Sequence, residues 1–147
     1  MKFAVTGGAG FVGSNIVKLL VKENHDVLVI DNMHTGKKEN LEEVLEKIEF
    51  FELDIRNTLE LENKIKDVDG IFHEAALTIV QESFIMEEEY YDVNVKGTEN
   101  IFNIAEKYGI KVVFASSSSV YGNTEKIPIL ENNERNPINP YGKTKLE

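Results

Sequence analysis

The chain has 147 residues, with 16 Lys and Arg against 26 Asp and Glu, a formal charge of −10 at neutral pH, no Cys and no Trp. This length makes one domain with a real core the default, and the lack of Cys excludes a disulfide framework, a thiolate metal site and a thiol nucleophile. The acidic balance argues against a nucleic-acid or anionic-membrane surface, no apolar run approaches the roughly 20 residues that span a bilayer, and no signal peptide opens the chain, so a soluble cytoplasmic protein is expected.

Lys2 to Thr6 is a short β-leaning run ending at Gly7, and the apolar residues Phe11, Val12, Ile16, Leu19 and Leu20 recur at helical spacing up to Glu23. Val27 to Ile30 is a continuous apolar run, the pattern of a strand buried on both faces. A short helix is predicted over Leu41–Lys47, a third strand over Phe50–Leu53, a helix over Thr58–Lys66 and a fourth strand over Gly70–His73. A longer helix is predicted from Glu88 to Tyr108, stopping at Gly109, and a fifth strand over Lys111–Ala115. Gly122 to Asn139 is polar and irregular, longer than most loops and therefore a candidate functional segment. Strands alternating with helices, without hairpin signals, predict right-handed crossovers: an α/β fold with a doubly wound parallel sheet in three layers.

Between the first strand and the first helix stands Thr6-Gly7-Gly8-Ala9-Gly10-Phe11-Val12-Gly13. It fits G-x-G-x-x-G on Gly8, Gly10 and Gly13, or G-x-x-G-x-x-G on Gly7, Gly10 and Gly13. Missing Cβ atoms permit a tight turn and let backbone amides approach a pyrophosphate, which the helix N-terminus favours with free N–H groups and a positive dipole end. Helix–strand packing alone is the competing explanation of the glycines. Asp31 ends the second strand, where a carboxylate accepts hydrogen bonds from the adenosine ribose and repels a 2′-phosphate, so NAD is favoured over NADP. Lys37 and Lys38 are the residues that leave room for NADP.

Tyr141 and Lys145 are spaced to share one face of a helix, and Asn139 with Pro140 supplies a cap and a first helical residue. A phenol acts as a base near neutrality only where positive charge favours its phenolate, which an ammonium one turn away and a positively charged nicotinamide would do. A solvated helix face is the bland reading of the pair. The run Ser116 to Ser119 leaves the carboxyl end of the fifth strand, the end where open α/β sheets hold ligands, and a hydroxyl there suits a substrate hydroxyl being oxidised.

These pieces together resemble the extended short-chain dehydrogenase/reductases that act on nucleotide sugars, the NAD-dependent epimerase/dehydratase family. The matching residues are TGGAGFVG, Asp31-Asn32 with Thr35-Gly36, Asp54-Ile55-Arg56, His73-Glu74-Ala75-Ala76, Asn94-Val95-Lys96-Gly97-Thr98, SSSSVYG and YGKTK, in the family's order and over essentially the whole chain. Within the family, DNMHTGKKEN and SSSSVYG look most similar to the NAD-dependent enzymes that invert C4 of a UDP-hexose. The resemblance implies that Gly7, Gly10, Phe11, Val12 and Gly13 lie by the pyrophosphate, and Asp31, Asn32, Met33, His34, Thr35 and Gly36 by the adenosine ribose. Asp54 and Ile55 would flank the adenine, and Glu74, Ala75, Ala76, Leu77 and Thr78 would line the nicotinamide side, supported by Asn94. Ser117 and Tyr141 would be the catalytic hydroxyl and base, and Lys145 would hold the nicotinamide ribose. No metal site is implied.

Structural readings stand beside three of these: Asp54 as a turn residue, His73 as a satisfied strand-end histidine, and Glu87 to Glu89 as a solvated helix start. Ser118 and Ser119 stand where the family's 4,6-dehydratases carry an acid pair, which disfavours dehydration. Thr78 stands where well-known 4-epimerases carry Lys, which leaves the sugar open. The reaction implied is inversion at C4 of a UDP-hexose through a 4-keto intermediate with NAD recycled. A non-catalytic NAD-binding module and another nucleotide-sugar dehydratase or reductase are the alternatives. Family members run to roughly twice this length, so residues 1–147 are expected to be a truncated NAD-binding domain, inactive or weakly active without a C-terminal substrate domain. A homodimer through the helices at Glu88 and Tyr141 is the expected assembly.

Overall fold

The computed structural model describes residues 1–125 and 127–147. In chain order the first half runs β1 (Lys2–Thr6), α1 (Phe11–Lys22), β2 (Asp26–Asp31), a 3₁₀ stretch (Lys38–Lys47), β3 (Ile48–Glu52), α2 (Thr58–Ile65) and β4 (Gly70–His73). The second half runs α3 (Val80–Ser83), α4 (Glu87–Tyr91), a π-helical turn (Asp92–Lys96), α5 (Gly97–Tyr108), β5 (Lys111–Phe114), a 3₁₀ turn (Ser118–Tyr121) and α6 (Pro140–Leu146). The chain divides into two compact units, Met1–Ala75 with Gly97–Ala115 and Ala76–Lys96 with Ser116–Glu147.

The first unit contains the whole sheet, five parallel strands in the order β3-β2-β1-β4-β5. Alternation along the strands sends one set of residues to each face. Ala4, Leu28, Ile30 and Ile71 pack with Leu61 and Ile65 of α2 and with Ile101 and Ile104 of α5. Val5, Val27 and Val29 pack on the other face with Val17 and Leu20 of α1 and with Leu41 and Val44. This is the expected doubly wound α/β arrangement of three layers. Thr6 is in register with Ile30 and with His73, so β1, β2 and β4 end level, and the order reverses between β1 and β4. Ligands of open α/β sheets bind beyond the carboxyl ends of the strands at such a reversal.

The strands lie where the apolar runs place them, to within two residues. Several helical expectations change. The predicted helix Leu41–Lys47 is 3₁₀, beginning at Lys38: its buried residues Leu41 and Val44 are three apart, the spacing a three-residue turn brings onto one line. On α1 the buried residues are Gly13, Ser14, Val17 and Leu20, whereas Phe11, Val12 and Leu19 are exposed, so the apolar spacing overstated the buried face.

The predicted single helix Glu88–Tyr108 is interrupted by the π turn, where Val93, Asn94 and Val95 are buried in succession. A regular α-helix spreads three consecutive residues over about 200° and cannot bury them all on one face; the wider turn accommodates them. The turns Val80–Ser83 and Ser118–Tyr121, too short to leave a periodic signal, are additions to the expected elements.

Candidate active site

In the first unit the glycine loop is shaped by the chain's own backbone at two of its glycines. Gly7 has φ +65°, and a Cβ there would stand 2.7 Å from the Ala75 amide nitrogen. A Cβ on Gly13 would stand 2.2 Å from the Gly7 carbonyl oxygen. Gly7 and Gly13 are therefore required by the close approach of β1, α1 and the end of β4. Gly8 faces Val29, 2.7 Å from where its Cβ would be. Gly10 differs, since a Cβ there would meet only the Gly7 oxygen, at 3.2 Å.

Gly10 is also the N-cap of α1 and makes no side-chain cap, while Phe11 and Val12, the first helical residues, are exposed. An uncapped helix start beside an open glycine is a cradle that fits a pyrophosphate.

Asp31 is buried at the end of β2. Its Oδ2 accepts from the Ala9 amide at 2.9 Å and its Oδ1 from the Met33 amide at 2.9 Å. Each carboxylate oxygen keeps a second lone pair for a ribose hydroxyl. The following turn holds Met33 at φ +60°, donates from the His34 amide to Asn32 Oδ1, leaves His34 and Thr35 exposed, and brings Gly36 so close that a Cβ would lie 2.6 Å from Asp31 Oδ1. The Ala9 carbonyl is held in turn by the Lys37 amide and by Asn40 Nδ2. Asn40 closes the DNMHTGKKEN segment, but nothing in the sequence assigns it a role of its own in fixing the loop.

At the end of β3, Asp54 accepts from Asn32 Nδ2 at 3.2 Å and from Arg56, through its backbone amide and its guanidinium, at 2.8 to 3.0 Å. The hydrogen bonds from Arg56 hold the Asp54 carboxyl down at about 2. Asp54 thus closes its own turn and ties the loops after β2 and β3 together. Ile55 buries its side chain in the core, and its carbonyl accepts from Asn100 Nδ2. At the end of β4 the Glu74 amide continues the ladder to the Thr6 carbonyl, and the Ala75 amide donates to Thr6 Oγ1 at 3.3 Å. His73 is a fully buried strand-end residue, bonded through Nδ1 to Thr6 Oγ1 at 2.6 Å and through Nε2 to Thr98 Oγ1 at 2.9 Å.

The second unit gathers the other candidates. Ala76 and Leu77 are partly buried and Thr78 is exposed. The Asn94 amide grips Leu77 twice, accepting from its N–H at 2.8 Å and donating to its carbonyl at 2.9 Å. It also donates to Thr144 Oγ1 at 3.1 Å, and that hydroxyl donates to the Tyr141 carbonyl.

α6 begins as expected: Asn139 accepts from the Gly142 amide at 2.7 Å and Pro140 is the first helical residue. Tyr141 and Lys145 are both buried on it, not solvated, which removes the bland reading of the pair. Gly142 lets this helix meet the 3₁₀ turn directly, since a Cβ would stand 2.7 Å from the Ser119 carbonyl oxygen. Ser117 caps that turn, its Oγ accepting from the Ser119 amide at 3.2 Å and its proton remaining available to another acceptor. Ser116 Oγ donates to the Lys145 carbonyl.

Sequence reasoning did not single out Tyr90, and it gave Gly142 and Thr144 no role beyond their place in YGKTK. The spacing of Tyr90 and Asn94 was its one available hint.

Of the three acidic residues read as a solvated helix start, Glu87 and Glu88 are exposed and Glu89 is partly buried. Among the described residues no three His, Asp or Glu converge as metal ligands, and no helix is long and apolar enough to cross a membrane.

The family model described as the NAD dependent epimerase/dehydratase family matches residues 3–147. A Methanocaldococcus jannaschii protein provisionally named a UDP-glucose 4-epimerase is 46% identical over 147 residues, 96% of this chain and 46% of that relative. The crystal structure of UDP-glucose 4-epimerase from Brucella ovis in complex with NAD matches with a TM-score of 0.90 at 35% identity, over 99% of this chain and 44% of that one. UDP-N-acetylglucosamine 4-epimerase from Methanobrevibacter ruminantium, in complex with UDP-N-acetylmuramic acid, matches with a TM-score of 0.93 at 36% identity, over 99% and 47%. The chain spans about half the length of the relatives it matches.

Proposed function

The chain belongs to the NAD dependent epimerase/dehydratase family, and from that premise we propose that it binds NAD and that the whole protein inverts C4 of a UDP-hexose. The observation that carries the reading is α6: a capped helix whose Tyr141 and Lys145 are both buried and whose Gly142 abuts the turn capped by Ser117. Sensing or simple storage of a dinucleotide requires none of those three side chains.

In the first unit, Gly10 and the start of α1 receive the pyrophosphate, Asp31 with residues Asn32 to Gly36 receives the adenosine ribose, and Asp54 borders the adenine. In the second unit, Ala76 to Thr78 face the nicotinamide, with Asn94 fixing their backbone, and Lys145 holds the nicotinamide ribose. Tyr141 takes the proton of the sugar's 4-hydroxyl while Ser117 donates a hydrogen bond to that oxygen. The bound NAD supplies hydride acceptance and return at C4. Tyr141 gives the proton back once the 4-keto sugar has presented its other face, so no proton or hydride is lost over the cycle. The matched structures are of enzymes for UDP-glucose and for UDP-N-acetylglucosamine, which differ at C2 of the sugar. The proposal is accordingly for a UDP-hexose, in a protein that acts in the cytoplasm and pairs with a second copy through the helical run that begins at Glu87 and through α6.

Calorimetric titration of the 147-residue chain with NAD and NADP tests the cofactor step. Saturable NAD binding, with NADP at least about tenfold weaker, is expected from the Asp31 charge, and no binding at millimolar NAD overturns it. For the reaction, conversion of UDP-galactose to UDP-glucose by the whole protein should fall about 100-fold or more in Tyr141→Phe. Unchanged turnover would sink the assignment.

A further inference from the structure

Two side chains on one helical run hold the segment that follows β4, each by a two-point bond to a single residue's main chain. Asn94 does this to Leu77, at 2.8 and 2.9 Å. Four residues earlier, Tyr90 does it to Ile79: its hydroxyl donates to the Ile79 carbonyl at 2.7 Å and accepts from the Ile79 amide at 3.0 Å. A hydroxyl has one proton, so the 3.5 Å approach to Glu82 Oε2 is secondary to the short bond to Ile79. Tyr90 is fully buried, and burial pushes its phenol up, which keeps that proton in place. The Ser83 amide also reaches the Ile79 carbonyl, anchoring the start of α3 to the same point.

The two grips are on alternate residues, and Ile79 is extended, at φ −85° and ψ 105°. In an extended chain the N–H and C=O of one residue point to one side and those of the next residue to the other. With Leu77 and Ile79 turned toward the helical run, the main-chain groups of Thr78 turn away from it. Thr78 is exposed. A phenylalanine at position 90 would fill the same core volume; only the hydroxyl makes the grip on Ile79.

We propose that Tyr90 is a positioning residue for the cofactor's nicotinamide end: with Asn94 it sets the extended course of Leu77–Ile79 and so the direction in which Thr78 presents its main-chain N–H and C=O. This rests on the reading of the chain as an NAD-dependent epimerase. The role separates the two ends of the dinucleotide. Loss of the hydroxyl loosens the nicotinamide side alone and leaves the adenosine side, built in the first unit, as it was.

The test compares the unmodified chain, Tyr90→Phe and the exposed neighbour's variant Tyr91→Phe in titrations with NAD and with ADP-ribose, alongside amide hydrogen exchange. In Tyr90→Phe the Ile79 amide should exchange about tenfold faster and NAD affinity should fall about tenfold, the scale of one lost hydrogen bond. ADP-ribose affinity should stay unchanged, and Tyr91→Phe should leave all three readings where they were. Equal weakening of NAD and ADP-ribose would show structural damage only and overturn the role, as would undiminished NAD affinity or unaltered exchange at Ile79. Failure of the unmodified chain to bind NAD overturns the functional reading, and the positioning role with it, and it is told apart because it shows before any substitution is made.

Discussion

The Ala9 amide donates to Asp31 Oδ2 across 2.9 Å, so the carboxylate that ends the second strand and the glycine loop that follows the first form one local structure. The same carboxylate caps its own turn through the Met33 amide. Asp31 is thus a structural acceptor before any ligand arrives, and its remaining lone pairs are aimed by bonds the fold has already made.

Asp31→Ala leaves the Ala9 and Met33 amides without their partner. Each unmet buried donor costs on the order of 1–3 kcal/mol, so urea unfolding should show a loss of about 2–4 kcal/mol together with a fall in NAD affinity. Asp31→Asn, which retains one acceptor oxygen, should lose less stability but should narrow the preference for NAD over NADP, because the repelling charge is gone. An Asp31→Ala chain as stable as the original would contradict the observed bonding.

The glycines separate by what surrounds them. Gly13→Ala puts a Cβ 2.2 Å from the Gly7 carbonyl, which is backbone and cannot step aside. Overpacking of this kind costs typically 1–3 kcal/mol or more, visible as a lowered Tm or as insoluble protein. Gly10→Ala meets one atom at 3.2 Å and should fold nearly normally, within about 1 kcal/mol, while NAD binding weakens at least about tenfold because the added methyl occupies the cradle. Normal NAD affinity in Gly10→Ala would remove Gly10 from the pyrophosphate site.

Asp54 carries a pH signature. Its carboxyl sits at about 2 in the folded chain against an ordinary 3.8, held there by Arg56. A lowered folded value means the contribution to stability is complete above about 4 and is lost as pH falls through about 2. Carboxyl-carbon NMR should place the Asp54 midpoint near 2, and Arg56→Ala should move it back toward the ordinary value. A midpoint near 4 in the unmodified chain would refute the pairing.

His73 spans Thr6 and Thr98 with both ring nitrogens and stacks on Phe114 with ring centroids 5.7 Å apart. His73→Leu keeps apolar volume but takes the imidazole partner from two buried hydroxyls, at a cost of about 2–4 kcal/mol in chemical denaturation. Thr6 Oγ1 also receives the Ala75 amide, so the Ala75 amide should exchange faster in the same variant. An unchanged denaturation midpoint would show that the two bonds are not limiting.

Local and periodic features were legible in the chain alone. Apolar runs such as Val27 to Ile30 place the strands, because a parallel strand buried on both faces leaves no room for polar alternation. The glycine loop, Asp31 and the Asn139-Pro140 cap of α6 are equally local, each needing only a few consecutive residues. The candidate site residues and the family resemblance followed from these motifs in order. What periodicity missed was short or irregularly wound: the 3₁₀ stretch at Lys38, the π turn at Asn94 and the single turns at Val80 and Ser118.

How the site residues are packed, inside and outside the motifs, was decided by tertiary structure. Whether Gly10 or Gly13 is the open glycine depends on how closely β1, α1 and β4 approach, and whether Tyr141 and Lys145 are solvated or buried depends on Gly142 meeting the Ser119 carbonyl. Tyr90 finds its partner 11 residues earlier and Asn94 reaches Thr144 across 50. The order of residues determined the fold class and the family, since spacing along a helix or strand is a local property. The packed molecule decided which of them are buried, gripped or left open, since those properties belong to contacts between segments far apart in the chain.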